Sequence, residues 1–441
     1  MSSHDPEMSP RMALDTDAQF IGGRLVGGSP PSVFRLSPAG RRRVDAAISG
    51  PTPASPLIDR LTAAGVLHPV VHAVAAAKVG SRVTVVVPTL GAPRHVPVVP
   101  EGVRVVIVDD YSDPPVPNAT LRRTSRGGPA AARTSGMAML DTELVAFVDA
   151  DVDTTMTSDW LQRCVAHIDA GADIVAPRVR ENPAAPLRRR SGPLDMGHRP
   201  SPVGHGRQVS YVPSAVMVCR VAALTDVGGF DERMLTGEDV DLVWRVVDAG
   251  RRVRYAPEIV VAHERRLHLV DRLRREYDYG LSAGPLAARH PRRLHPLVAS
   301  PWAAAIIVVA ALPLTRPVRG AIMALVCAAA TRRLAAGTGL GRADAAAVVA
   351  RSVATTAVAL ARAVRMLWWP ACLVGMCRRG PRRLLLAALL TAGGGERVVR
   401  DVAHGAGVWR SVIASRSADP VTPRLRWRHR DTATAPYAAG S

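Results

Sequence analysis

The chain of 441 residues is 48% hydrophobic and 21% charged, with a formal net charge of +20. This composition excludes a disordered chain, and the length predicts two to four structural units. The five cysteines are odd in number and lack CxxC spacing, which argues against a zinc ribbon or a disulfide scaffold. Residues 1–19 are expected to form a polar leader without the apolar core of a signal peptide, so a catalytic part is expected to stay in the cytoplasm.

The positive charge is concentrated in the C-terminal part of the chain. Residues 281–441 contain 23 arginines and only five acidic residues. The arginines alternate with apolar blocks such as residues 301–314 and 345–361. This pattern is typical of a segment at the cytoplasmic face of a membrane rather than of a groove that binds the phosphate backbone of a nucleic acid. We therefore expect the inner face of the cell membrane, and no nucleic acid, as a partner.

Residues 20–79 have the pattern of a small separate unit. Three short strands are expected at residues 20–21, 24–26 and 33–36. Ser37-Pro38 has the order that begins a helix, and a second helical pattern ends at Gly65 before another strand. This order of strands and helices resembles the winged-helix elements that recognise peptides in peptide-modifying pathways. The alternative is a structural cap on the next domain.

Residues 80–280 alternate between strand and helix patterns. Uninterrupted β-branched runs predict buried strands at residues 83–87, 103–108, 144–148 and 173–176. Leu161, Val165 and Ile168 have the spacing of an amphipathic helix between two of these strands. We therefore predict an α/β domain with a mostly parallel sheet and a ligand at the carboxyl ends of its strands.

The pattern becomes helical and rich in alanine and arginine over residues 281–415. The apolar run at 298–314 is slightly shorter than the roughly 20 residues that span a bilayer. The pattern is compatible with a hairpin of short membrane helices and with helices that lie in the membrane interface. Residues 416–441 are expected to be a disordered basic tail.

Acidic residues follow the second predicted strand, as Asp109-Asp110. The first strand ends at Pro88-Thr89 and is followed by Gly91 without a glycine-rich loop, which disfavours a dinucleotide site. Carboxylates accept hydrogen bonds from the base N–H and the ribose hydroxyls of a nucleoside. The sequence therefore indicates a nucleoside site, with a solvated turn as the alternative.

A second acidic group follows the strand at 144–148. Asp149, Asp151 and Asp153 occupy alternate positions, so their side chains point in one direction along an extended segment. Oxygen ligands of this kind favour Mg²⁺ or Mn²⁺ over zinc. This pattern predicts a divalent cation site, and solvated acids on a loop are the alternative.

Glu238 and Asp239 lie in the first turn of a predicted helix that ends at Gly250. The helix dipole favours ionised carboxylates at this end. An ionised carboxylate at the mouth of a nucleotide site is suited to act as a general base, whereas acids in a first turn are often only capping residues.

In this order and spacing, the three acidic motifs resemble the inverting family 2 glycosyltransferases of the GT-A fold, over residues 81–265. The resemblance implies a metal-dependent hexosyltransferase with Asp239 as the catalytic base beside Glu238. It assigns nucleotide-sugar binding to Pro88, Thr89, Asp109, Asp110, Arg133 and Asp149, and metal binding to Asp149, Asp151 and His263. The sequence departs from the family pattern in three places: Tyr111 replaces the usual glycine, Thr134 the usual asparagine, and Leu90-Gly91 the usual aromatic-Asn after the first strand.

Flanking motifs extend the resemblance to residues 20–315. These motifs include Gly27-Gly28-Ser29-Pro30, Gly65-Val66-Leu67-His68-Pro69 and Val209-Ser210-Tyr211-Val212-Pro213. They are similar to the mycofactocin-system glycosyltransferases, which implies transfer of glucose from UDP-glucose, in β-1,4 linkage, onto a redox cofactor made from a ribosomal peptide. Two alternatives are a family 2 glycosyltransferase of cell-envelope lipid or polysaccharide, and a non-enzymatic, membrane-docked peptide-binding protein.

Overall fold

The computed structural model describes residues 8–425 except 22, 182–183, 185, 187–191 and 265–267. The chain divides into two compact units, with Met1–Arg265 in the first and Arg266–Pro436 in the second. All the predicted site residues lie in the first unit.

Residues 8–79, the N-terminal unit, form short strands around two helices. The elements are β1 (Met8–Ser9), β2 (Met12–Leu14), β3 (Gln19–Ile21), β4 (Arg24–Gly27), β5 (Ser32–Arg35), α1 (Pro38–Ser49), β6 (Thr52–Pro53), α2 (Pro56–Ala63) and β7 (Leu67–Pro69). Ser37 caps α1 by accepting a hydrogen bond from the Gly40 amide at 3.1 Å, which confirms the predicted helix start.

The N-terminal unit differs from the sequence prediction in two respects. Residues 8–14, expected within a polar leader, form strands, because β2 pairs with β7 and buries Met12 against Leu25 and Leu67. The strands form three small antiparallel sheets, β3-β4-β5, β2-β7 and β1-β6, and the winged-helix arrangement is not confirmed. Residues 1–7 lie outside the described part.

The rest of the first unit is an α/β domain built on a nine-stranded sheet. Its elements are β8 (Val83–Thr89), β9 (Arg104–Asp109), β10 (Leu121–Arg122), α3 (Gly128–Met137), β11 (Leu144–Val148), β12 (Val152–Asp153), α4 (Trp160–Asp169), β13 (Ile174–Arg180), β14 (Ser201–Pro202), β15 (Val216–Arg220), α5 (Val221–Thr225), α6 (Glu238–Asp248) and β16 (Val253–His263). The strand order is β10-β9-β8-β11-β15-β13-β16-β12, with β14 also paired to β16. Strands β8, β11 and β13 are buried along their whole length, which the apolar runs predicted for β8 and β11. Strand β13 extends beyond the predicted residues 173–176 and also buries Arg178 and Arg180.

The sheet is mixed rather than mostly parallel, which corrects the sequence prediction. Strands β8, β9, β10 and β11 are parallel, but β15 lies antiparallel between β11 and β13. The short strands β12 and β14 are also antiparallel to β16. The chain enters β15 from a loop instead of a crossover helix, and this permits the reversed direction.

The second unit is helical, and its helices cover most of residues 281–415, where the helical pattern was expected. It contains α7 (Leu269–Leu281), α8 (Ala283–Arg289), β17 (Val298–Ala299), α9 (Pro301–Ala311), α10 (Arg316–Thr338), α11 (Arg342–Ala363), α12 (Trp369–Val374), α13 (Arg379–Leu390), α14 (Gly395–Ser415) and β18 (Arg424–Leu425). Gly280 and Gly407 bring α7 and α14 into close contact, since a Cβ on Gly407 would stand 2.1 Å from the Tyr277 carbonyl oxygen.

Two helical segments, Arg316–Thr338 and Arg342–Val374, are long and apolar enough to cross a membrane. In the first, only 6% of the most apolar window is buried within the protein. The chain after residue 416 departs from the expected disordered tail, because β18 pairs with β17 and the Trp368 indole donates to the Val421 carbonyl at 2.8 Å. Residues 426–441 lie outside the described part.

Candidate active site

The carboxyl ends of β8, β9 and β11 meet at one edge of the sheet. Pro88 and Thr89 end β8, and Thr89 lies opposite Asp109 at the end of β9. Asp149 directly follows β11, which is paired in parallel with β8 on the other side. Parallel pairing therefore brings together acidic residues that lie 40 positions apart in the sequence.

Asp109 is fully buried and its carboxylate accepts four hydrogen bonds from the protein. The donors are the Ser112 amide (2.8 Å), the Ser112 hydroxyl, the Val116 amide (3.2 Å) and the Arg122 guanidinium (3.1 Å). Burial opposes ionisation, but these hydrogen bonds and the charge of Arg122 hold the pKa of Asp109 below its ordinary value. A carboxylate has about four acceptor positions, so those of Asp109 are occupied within the loop itself.

Asp110 fixes the beginning of α3. Its carboxylate accepts the Gly127 amide at 2.9 Å and the Gly128 amide at 2.7 Å, and it forms an ion pair with Arg123 at 2.9 Å. The two amides use two acceptor positions of the carboxylate, whereas Arg123 contributes its charge, since its Nε atom makes no hydrogen bond. Sequence reasoning missed Arg122 and Arg123, although two consecutive arginines shortly after two consecutive aspartates were a usable signal.

The departure at Tyr111 has a backbone explanation. Tyr111 has a φ of +64°, in the left-handed region where glycine is favoured, which accounts for the glycine usual at this position in the family it resembles. The Arg122 guanidinium lies 5.2 Å from the centroid of the Tyr111 ring, and this contact contributes to holding the strained residue in place.

Arg133 connects two of the predicted motifs. From α3, its guanidinium donates to Asp149 Oδ1 at 2.6 Å and to Glu238 Oε1 at 3.0 Å, and it is itself buried. The Phe230 ring lies 5.4 Å from the guanidinium carbon. One buried cation thus joins the end of β11 to the first turn of α6.

Glu238 and Asp239 lie in the first turn of α6, as predicted. Burial, together with the neighbouring Asp239, raises the pKa of Glu238 to about 7. Burial also raises the pKa of Asp239, while the amide of Val240 at 2.8 Å, the charge of Arg133 and the amide of Ser214 at 3.3 Å oppose the rise. Sequence reasoning missed Ser214, which carried no motif of its own.

Asp151 and His263 lie together beyond the end of β11. The His263 Nε2 atom is 3.4 Å from Asp151 Oδ2, and its buried Nδ1 atom has no hydrogen-bond partner. Asp153 instead accepts a hydrogen bond from the Thr155 amide at 2.8 Å, which together with the Thr155 side chain lowers its pKa. Within the described residues, no three His, Cys, Asp or Glu side chains are grouped closely enough to hold a metal unaided.

The sequence comparisons identify the family. A model of the family described as glycosyl transferase family group 2 matches residues 145–375. A pre-mycofactocin glycosyltransferase of Mycobacterium tuberculosis (strain H37Rv) is 36% identical, over 92% of this chain and 95% of that protein. The chain belongs to the family 2 glycosyltransferases. Within this family it groups with the pre-mycofactocin glycosyltransferases, as the flanking motifs indicated, and it has the GT-A-like combination of a mixed sheet and helices.

More distant relatives cover less of this glycosyltransferase or match it less well. An uncharacterized glycosyltransferase of the same organism is 32% identical over 40% of this chain and 83% of its own length. Among solved structures, the mannosyltransferase of Pyrobaculum calidifontis in complex with GDP-mannose and Mn²⁺ is 17% identical, with a TM-score of 0.40 over 76% of this chain and 86% of that one.

Proposed function

We propose that this glycosyltransferase transfers glucose from UDP-glucose onto mycofactocin or its precursor, a peptide-derived redox cofactor, and builds a β-1,4-linked oligoglucose chain. The likeness to a pre-mycofactocin glycosyltransferase along nearly the whole chain supports the acceptor. The structural observation that carries the proposal is the chain of contacts Asp149–Arg133–Glu238, which brings the Asp-rich loop and the Glu-Asp motif into one site.

Asp239 is proposed as the base of a single inverting displacement. It takes the proton of the acceptor hydroxyl while that oxygen attacks the anomeric carbon and the bond from this carbon to the UDP oxygen breaks. Its two backbone hydrogen bonds, from Val240 and Ser214, orient the carboxylate and leave acceptor positions free. A pKa raised by burial makes the carboxylate a stronger base, and a positioned base contributes about 10²–10⁴-fold to a rate.

The nucleoside is proposed to bind at the ends of β8 and β9. Pro88 and Thr89 border this site, and the Thr89 carbonyl already accepts the Asp110 amide at 2.9 Å. Asp110 has acceptor positions left for a base or ribose donor, whereas Asp109 contributes by shaping the loop that surrounds it. Arg133 and Asp149 are proposed to line the part of the donor site that lies nearest to Glu238 and Asp239.

The residues present fit a divalent cation that arrives with the diphosphate. Mg²⁺ is commonly held by one or two carboxylates together with substrate phosphates, so a complete protein cage is not required. Asp151 is about one-third exposed, and the His263 Nε2 atom lies 3.4 Å from Asp151 Oδ2, so the two side chains are close enough to share one cation. We propose Asp151 and His263 as the protein ligands, with Asp149 adjacent. A bound Mg²⁺ or Mn²⁺ would neutralise negative charge on the departing diphosphate.

The second unit is proposed to attach the enzyme to the inner face of the cell membrane. The apolar segment of α10 between Arg319 and Arg332 is 12 residues long, about 18 Å at 1.5 Å per residue. Because a bilayer core is about 30 Å thick, this spacing favours a position of α10 in the interface over a full span. Cofloatation with anionic vesicles that is reversed by high salt is expected, and a fully soluble protein at low salt would contradict the assignment.

The donor and acceptor are tested by incubating the purified full chain with a mycofactocin precursor and, in parallel, UDP-glucose, UDP-galactose and GDP-mannose. A mass increase of the precursor by hexose units with UDP-glucose alone is expected. Glycosylation of a lipid extract but not of the precursor would favour the cell-envelope alternative.

A further inference from the structure

Three flanking motifs that the proposed chemistry does not use meet at one place in the first unit. The Ser29 amide of the first motif donates to the Ala64 carbonyl next to the second motif, at 2.8 Å. A Cβ on Gly28 would stand 2.6 Å from the same carbonyl oxygen, and Gly28 has a φ of +93°. The absence of a side chain at Gly28 therefore allows the two turns to lie directly against each other.

The joined turns contact the segment that leads to the third motif. We call residues 203–214, between β14 and β15, the base loop. The Gln208 amide donates to the Ser29 hydroxyl at 2.5 Å, and the Arg207 guanidinium donates to the Ala63 and Ser29 carbonyls. Gly65 also lies against β14, where its Cβ would be 3.0 Å from Pro202 Cδ. The N-terminal unit thus holds one side of the base loop.

The other side of the base loop contacts α6. The Trp244 indole donates to the Ser210 carbonyl at 2.8 Å, and the Ser214 amide donates to Asp239 Oδ2 at 3.3 Å. Val209, Val212 and Ser214 are buried. The loop is therefore a short, packed connection from the N-terminal unit to the side chain of Asp239.

We propose that the N-terminal unit is a positioning element for Asp239, with Ser29 and Arg207 holding the base loop so that Ser214 orients the carboxylate. This inference rests on the proposed function, in which Asp239 is the base. It differs from peptide recognition, because the contacts lead to the reacting carboxylate. A free peptide-binding surface is not needed for this role.

The test compares full-length Ser29→Ala and Arg207→Gln with Asp59→Asn. Asp59 provides a matched control, since its 3.8 Å ion pair with Arg252 also joins the N-terminal unit to the α/β domain but is exposed and does not touch the base loop. Loss of one oriented hydrogen bond is expected to lower the transfer kcat of the two loop variants by about fivefold or more. The donor Kd and the melting temperature should stay near the wild-type values, and Asp59→Asn should behave as the wild type.

A pH profile and hydrogen exchange separate positioning from simple stability. A weaker Ser214 hydrogen bond to the ionised carboxylate raises its pKa, so the acid limb of kcat should move to higher pH in the loop variants. Amides of residues 208–216 should exchange faster. Wild-type kcat and exchange would overturn the proposal, as would a raised KM for the acceptor alone, which would favour peptide recognition.

If the loop variants lose donor binding and transfer activity together and also melt at a lower temperature, the N-terminal unit acts only as a structural cap. This result would also overturn the proposal. Failure of the proposed function has a different signature. If Asp239→Asn retains full transfer activity, Asp239 is not the base and the positioning role ends with it. If Asp239→Asn loses transfer activity but Ser29→Ala and Arg207→Gln keep wild-type kinetics and hydrogen exchange, Asp239 remains the proposed base. Only the positioning role of the N-terminal unit is then rejected.

Discussion

Two acidic pairs follow parallel strands that lie on either side of β8 in the same sheet, and they have opposite surroundings. Asp109 and Asp110, after β9, are buried, and seven contacts from amides, a hydroxyl and arginines surround their oxygens. Asp149 and Asp151, after β11, are each about one-third exposed, and their side chains pair with Arg133 and His263, respectively. Acidic residues at the end of a strand can therefore either stabilise the following loop or remain available to bind a ligand.

The largest expected effect concerns the exposed pair. Asp151→Asn should lower transfer activity by at least about 100-fold, because a proposed ligand of the cation that neutralises the diphosphate loses its charge. Steady-state kinetics at saturating Mn²⁺ measures this effect, with a thermal melt beside it. The melting temperature should not change, and activity within tenfold of the wild type would place the cation elsewhere.

Substitution in the buried pair, Asp109 and Asp110, should lower stability rather than affect catalysis directly. Asp109→Asn removes the partner of Arg122 and leaves donors of Ser112 and Val116 poorly satisfied, so stability should fall by about 2–3 kcal/mol. Chemical denaturation measures the loss. The lowered pKa means that the carboxylate stabilises the fold above its unfolded pKa of about 4, and that this contribution is lost as pH falls through the folded value.

The difference in the free energy of unfolding between Asp109→Asn and the wild type should consequently become smaller at acidic pH. An unchanged denaturation midpoint at neutral pH, combined with loss of UDP binding, would reverse the comparison and make Asp109 a direct nucleoside contact.

A smaller effect is expected at Arg133, which joins the exposed pair to Glu238 and Asp239. Its positive charge lowers the pKa of Glu238 and Asp239, against the effect of burial. Arg133→Gln should therefore move the acid limb of the kcat profile to higher pH by about one unit. Arg133→Lys retains the charge and should move it less.

The profile is measured only on variants whose melting transition is retained. Coincident acid limbs for the Gln and Lys variants would show that the charge of Arg133 does not set the protonation of the Glu238/Asp239 pair.

The sequence predicted those features of the site that depend on local pattern. The apolar run at Leu144–Val148 was found with its observed bounds, and the first turn of α6 was correctly placed at Glu238, because hydrophobic periodicity and turn residues determine both. Strand β15 was not predicted, and neither was its direction, since an apolar run does not reveal which strand it pairs with. The burial of Asp109 was also missed, because its partners come from a folded loop that ends at Arg122.

The central claim is that Asp239 removes the acceptor proton in a site that binds a sugar nucleotide. It is tested most directly by measuring UDP-glucose binding by calorimetry and transfer to the mycofactocin precursor on the same preparation of Asp239→Asn. We expect transfer to fall by about 10²–10⁴-fold with the donor Kd unchanged. Retained transfer, or loss of donor binding together with transfer, would contradict the assignment of Asp239 as the base.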